Sequence, residues 1–148
     1  MIPATADRVH QNTAEAANRA IQVDMHDSVR WHADHPGAIP ARLHELDAEW
    51  DVERTLEANA STLAFAGVVL GAFADRRWLV LPAVVTAFLF QHAVQGWCPP
   101  LPVLRRMGFR TAREIDAERT ALKALRGDFA QLEDAPDRAT AALDATRR

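Results

Sequence analysis

Gln91, His92, Gln95 and Cys98 are the residues of this sequence whose types and spacing could do chemistry. Gln91 and Gln95 lie four apart and His92 and Gln95 three apart, so on a helix they share a face, with Cys98 about one turn further. A histidine can relay protons or ligate a metal, and a cysteine beside an arginine-rich segment can react as a thiolate. The structural alternative is equally concrete: water or headgroups satisfy these polar groups, and Cys98-Pro99 only makes a turn. A second group, His26, His32 and His35 with Asp27 and Asp34, also invites a metal reading. Its histidines, six and then three apart, do not all share one helix face, unlike a pair held at i and i+4. Solvated histidines are expected there. The sequence contains no phosphate loop, Ser-His-Asp order or pair of buried carboxylates. The expectation is therefore no enzyme, no cofactor and no metal, the alternative being a sulfur-handling or redox protein that uses Cys98 assisted by His92.

The first cluster belongs to the stretch that organises the chain, Ala58 to Trp97. Two apolar runs, residues 58–74 and 78–97, are joined by the charged triplet Asp75-Arg76-Arg77. The first run carries only Asn59, Ser61 and Thr62 as polar residues; the second has no polar residue from 87 until Gln91. A membrane-spanning helix needs about 20 mostly apolar residues, from about 17 upward, and the runs have 17 and 20. A soluble helix normally keeps a polar face, and neither run shows one through its centre. The pattern predicts a transmembrane helical hairpin, with polar residues at membrane depth as candidates for function. Trp78 and Trp97 bracket the second run, as amphipathic rings at two interfaces would. Ala60, Ala64, Gly67 and Gly71 form a stripe of small residues containing a GxxxG spacing, which allows close approach of backbones in lipid. It serves either self-association or packing against the second helix. Pro82 falls in the opening turn of that helix, where it is tolerated.

Charge is unevenly distributed around the hairpin. Residues 1–57 carry 5 arginines against 11 acids, and residues 98–148 carry 10 basic residues against 8 acids. The acidic first arm argues against a nucleic-acid partner, which requires a basic face. The single cysteine excludes an intramolecular disulfide and a cysteine-rich zinc site. Met1 to Asn12 has no apolar core, so the first apolar run is expected to serve as an uncleaved insertion signal. Arg42, Arg54, Arg105, Arg106, Arg110 and Arg113 flank the hairpin against Arg76 and Arg77 in its turn. This places both termini in the cytoplasm of a bacterial inner membrane. Arg105, Arg106, Arg110 and Arg113 are candidates for lipid headgroups, or simply a topology signal.

The arms read as helices. Residues 1–12 look frayed, and Thr13 is expected to cap a helix to about His35 with Ala17, Ile21, Met25 and Val29 on one face. His35-Pro36-Gly37 ends it, and Pro40 opens a second, amphipathic helix with Leu43, Leu46, Trp50 and Leu56. Its acids favour packing on protein over anionic lipid, with the basic stretch after the hairpin as a candidate partner. Glu53 and Arg54 are expected to pair or snorkel where this helix reaches the membrane. Cys98-Pro99-Pro100-Leu101-Pro102 cannot continue the second membrane helix. Thr111 and Glu114 form a capping box for a last helix. Ile115, Leu122 and Phe129, with Leu125 and Leu132, fall on heptad positions that would suit a coiled coil. The tail beyond Ala135-Pro136 reads as a loose helix.

Val52-Glu53-Arg54 before the hairpin, Gly96-Trp97-Cys98-Pro99 after it, and Gly108-Phe109-Arg110-Thr111 beyond form an ordered set of landmarks. In these, residues 50–113 resemble the YgaP-like transmembrane-domain family. The resemblance implies a two-helix inner-membrane domain that dimerises through its membrane helices. Some members join it to a rhodanese domain that handles sulfane sulfur, and no counterpart of that domain is expected in these residues. The expected architecture is all-α, a two-helix transmembrane hairpin flanked by amphipathic cytoplasmic helices. Its parts are an N-terminal arm (1–49), the hairpin region (50–113) and a C-terminal helix and tail (114–148). The expected role is a non-enzymatic membrane protein, with membrane lipid as one partner, a second copy of itself as another, and cytoplasmic arms that recruit or scaffold a further protein.

Overall fold

The structure, a computed structural model, describes residues 7–132 and 134–147. Every element among them is helical: α1 (Arg8–Gln11), α2 (Glu15–Asp34), α3 (Ile39–Ala48), α4 (Val52–Phe73), α5 (Val80–Gln95), α6 (Leu101–Arg106), α7 (Ala112–Arg126) and α8 (Arg138–Arg147). The chain divides into two compact units. One contains residues 1–21 and 50–112, the other residues 22–49 and 113–148. Of the described residues of the N-terminal arm, 7–21 cluster with the hairpin and 22–49 with the second unit.

In the hairpin unit, α4 starts six residues before the apolar run. Asp51 caps it, its Oδ1 accepting from the Arg54 amide at 2.6 Å. A second helix-opening amide, that of Val52, donates to the Arg110 carbonyl at 2.8 Å, so two of the four amides a helix start leaves unpaired are satisfied. The 22 residues of α4 and the 20 from Arg76 to Gln95 are each about 30 Å long at 1.5 Å per residue. Asp75 ends the turn between them by accepting from the Arg77 amide. The two helices approach along the glycines. A Cβ on Gly67 would lie 2.5 Å from Cδ of Pro82, and one on Gly71 would lie 2.5 Å from Cδ2 of Leu79. The glycine stripe is thus taken up by packing inside the hairpin. That contact occupies Gly67 and Gly71 of the expected stripe, while Ala60 and Ala64 stay half-buried.

Most other side chains of the hairpin helices face outward, with Phe65 72%, Phe73 88% and Phe90 72% exposed. The hydroxyls of Ser61, Thr62 and Thr86 each donate to a backbone carbonyl one turn earlier, those of Glu57, Ala58 and Pro82. No hydroxyl on the two apolar runs is left without a partner.

The second unit is built differently. Ile39, Leu43 and Leu46 of α3 form a buried cluster with Ile115 and Leu122 of α7. α3 therefore packs on protein, against α7 rather than the arginines before it, and it ends at Ala48. Glu49 turns extended, so the helix does not run on through Trp50 to Leu56. Inside the unit, the fully buried Glu118 accepts from Ser28 Oγ at 2.6 Å and from Arg42 Nε at 3.0 Å. Arg119 bonds the Asp47 carboxylate and the Leu46 carbonyl.

Two expectations for the C-terminal region are corrected. The heptad stripe stops, because α7 ends at Arg126 and Gly127 takes φ +88°. Phe129 and Leu132 fall beyond the helix, and Leu125 is exposed. The tail is anchored: Asp137 accepts from the amides of Ala139 and Thr140 to start α8, Ala145 is buried, and Lys123 Nζ donates to the Thr146 carbonyl at 2.7 Å.

Candidate functional site

The candidate site is the end of the hairpin where the start of α4 and the end of α5 meet α1 and α6. Gly96 closes α5 at φ +76°, its amide donating to the His92 carbonyl at 2.7 Å. Only glycine fits here. The left-handed backbone disfavours a side chain, and a Cβ would lie 2.6 Å from Cβ of Arg8. Residues 7–12, expected to fray, are held by this contact, while residues 1–6 lie outside the described residues. Asn12 Nδ2 donates to the carbonyls of Arg8 (2.7 Å) and Gln95 (2.9 Å), joining α1 to the end of α5. Thr13 does not cap α2 with its hydroxyl, which donates back to the Val9 carbonyl.

Beneath these bonds lies a core of Val9, Val52, Leu56, Cys98 and Leu101, flanked by Leu104 and Phe109. The landmark segments around Val52, Cys98 and Phe109 thus converge on one cluster. Cys98 is 3% exposed, and burial pushes its thiol above the ordinary range, only partly offset by the Leu101 amide. A buried, predominantly protonated thiol is a poor nucleophile. Its side chain packs with Val9, Val52, Leu56 and Leu101.

The expected polar cluster divides. Gln91 Nε2 donates to Gln95 Oε1 at 3.4 Å at the surface, whereas His92 is 5% exposed and both its ring nitrogens are buried with no hydrogen-bond partner. Two further buried atoms at this end, Arg8 Nε and Glu53 Oε2, are also unpartnered. Burial raises the Glu53 carboxyl above its ordinary range. Asp51 adds to the rise, while its own backbone amide, Arg8 and Arg105 oppose it. Arg54 does not pair with Glu53; its guanidinium lies 4.4 Å over the Trp50 ring.

The arginines expected at lipid headgroups also separate. Arg105 is 1% exposed and donates to the Phe109 carbonyl (2.9 Å) and Asn18 Oδ1 (3.0 Å). Arg110 is buried as well. Both are structural, because a buried guanidinium must spend its donors on the protein around it. Arg106 and Arg113 keep exposed side chains. Of the histidines, His32 and His35 turn back to the Ser28 and Trp31 carbonyls, and His26 is exposed. Among the described residues, no three His, Cys, Asp or Glu side chains gather into a group that could hold a metal ion.

A groove of about 400 Å³ opens between α4 and α5 just beyond this core. Ala60, Leu63, Leu89, Pro99 and Pro100 are among its apolar lining, and His92 is also among the lining residues. The sequence marked His92 by type but carried no sign of the groove, since Ala60 and Pro100 are unremarkable alone. No family model matches the chain, nor does any curated protein or solved structure.

Proposed function

We propose that the chain is an integral membrane protein of a bacterial inner membrane, without enzymatic activity, whose hairpin anchors helical arms that engage a cytoplasmic protein. The observation that carries this reading is the exposure of the hairpin. Only 17% and 6% of the residues in its two most apolar windows are buried, whereas the apolar helix of a soluble core would be mostly covered. Contiguous exposed apolar surface on this scale requires lipid or protein over it. The internally bonded hydroxyls suit lipid, which offers no partner for a stray polar group. The landmarks shared with the YgaP-like family support the same reading. Arginine placement favours both termini in the cytoplasm and the Asp75-Arg76-Arg77 turn outside. Pro82 and Leu79 occupy Gly67 and Gly71 within the hairpin, and association between copies would use the exposed apolar surface outside that contact.

Carbonate washing of membranes from cells expressing the full chain tests the anchor. The protein is expected in the washed pellet, and its release would overturn the reading. Orientation is tested with Asp75→Cys in a Cys98→Ser background. An impermeant maleimide is expected to label intact spheroplasts, and labelling only after lysis would reverse the topology.

A further inference from the structure

We infer that α6 is an interfacial helix whose partner is the phospholipid surface. Val103 and Met107 enter the edge of the acyl-chain layer, and Arg106 meets the headgroup phosphates. The inference rests on the membrane reading above, which concerned the hairpin alone.

The depth of α6 follows from helix length. The charged turn Asp75-Arg76-Arg77 marks one edge of the hydrocarbon layer, which is about 30 Å thick. At about 1.5 Å per residue, the 20 residues from 74 back to 55 cross that thickness. Leu56 therefore stands at the other edge. It shares a buried cluster with Cys98 and Leu101, and Leu104 packs against that cluster, so α6 lies at the same level. The two faces of α6 differ. Leu101 and Arg105 are buried, whereas Val103 and Met107, four apart, are 56% and 68% exposed. Pro99, exposed just before the helix, lines one groove with Leu63 and Phe88 of the hairpin's outward apolar surface. The apolar face of α6 thus continues the surface that the membrane reading gives to lipid, and charge selects lipid for it as well. Arg106 is exposed, and among the described residues no hydrogen bond or ion pair holds its guanidinium. The adjacent Arg105 instead donates to Phe109 and Asn18. A free arginine beside an apolar pair matches a surface that sets phosphates directly over acyl chains. At the same end of the hairpin Trp50 is 47% exposed with Arg54 over its ring, an amphipathic group of the kind that collects at membrane interfaces.

The test places the full chain in liposomes of phosphatidylethanolamine and phosphatidylglycerol. Nitroxide labels are attached to Val103→Cys, Met107→Cys, Val84→Cys and Thr120→Cys, each in a Cys98→Ser background. Collisions with oxygen, which concentrates in lipid, are compared with collisions with a water-soluble nickel chelate. Val84, exposed on α5, is the lipid reference, and Thr120, exposed on α7, is the water reference. Labels at 103 and 107 are expected to favour oxygen, at depths between the two references. Arg106→Glu is expected to shift the label at 107 toward water without moving the one at 84, and an unmoved label at 107 would overturn the phosphate contact. Nickel-favoured collisions at 103 and 107 with an oxygen-favoured label at 84 would overturn the inference and leave the anchor standing. Few collisions with either reagent at 103 and 107 would also overturn it, assigning the face to protein. A nickel-favoured label at 84 would refute the anchor itself. Helical circular dichroism matching the unsubstituted chain checks that each variant is folded.

Discussion

The hairpin and the α3–α7 unit are held together by different means, although both are helix pairs. In the α3–α7 unit, leucines and isoleucines from two amphipathic helices meet in a buried cluster, and Glu118 is anchored between Ser28 and Arg42. In the hairpin, the large side chains point outward and close contact is made by what is missing, the side chains of Gly67 and Gly71. Water drives the first kind of packing by expelling apolar surface. The second depends on backbone approach and van der Waals contact, which remain available where the surroundings are themselves apolar.

The comparison can be broken from either side. The largest effect is expected from Glu118→Ala, which leaves Arg42 beside a buried site with no carboxylate. Arg42 keeps Glu45 as a partner, so the loss of the buried carboxylate's hydrogen bonds and of its packing costs about 2–4 kcal/mol. Hydrogen exchange should speed up in α3 and α7 and stay slow along α4, whereas equal loss in both units would mean that they do not differ in this way. Gly67→Leu should do the reverse, separating α4 from α5 at a cost of about 1–3 kcal/mol for overpacking. Exchange would then speed up around Gly67 and Pro82 with α7 protected, and an unchanged hairpin would show that the glycine contact is dispensable.

Glu53 offers a smaller and sharper test at the base of the hairpin. Its carboxyl is raised, chiefly by burial, so the folded chain holds that proton more tightly than the unfolded chain. Between the ordinary carboxyl range and the raised value the folded state binds more protons, and stability falls as pH rises through that window. Above it, the cost of the buried charge is fully present. Glu53→Gln should remove this slope and leave stability near neutral pH equal or higher. Thermal unfolding in detergent from pH 4 to 8 measures it, and a parallel slope in both proteins would rule Glu53 out as the source.

The sequence by itself determined much of this molecule. The charge-free runs around Asp75-Arg76-Arg77 dictated two long apolar helices, Pro40 dictated the start of α3, and the acids beside Leu43 and Leu46 favoured a protein partner for its apolar face. These are local matters of periodicity, length and backbone chemistry, which neighbouring residues settle among themselves. Only the tertiary structure decided which partners meet. It placed Arg8 under Gly96, buried Arg105 and Arg110 where surface charges were expected, turned His92 away from Gln91 and Gln95, and put Leu79 and Pro82 over the glycines. A side chain's neighbours from distant segments determine whether an arginine is a structural donor or a surface charge, and whether a histidine has a partner. That information lies in the packing and not in the spacing along the chain.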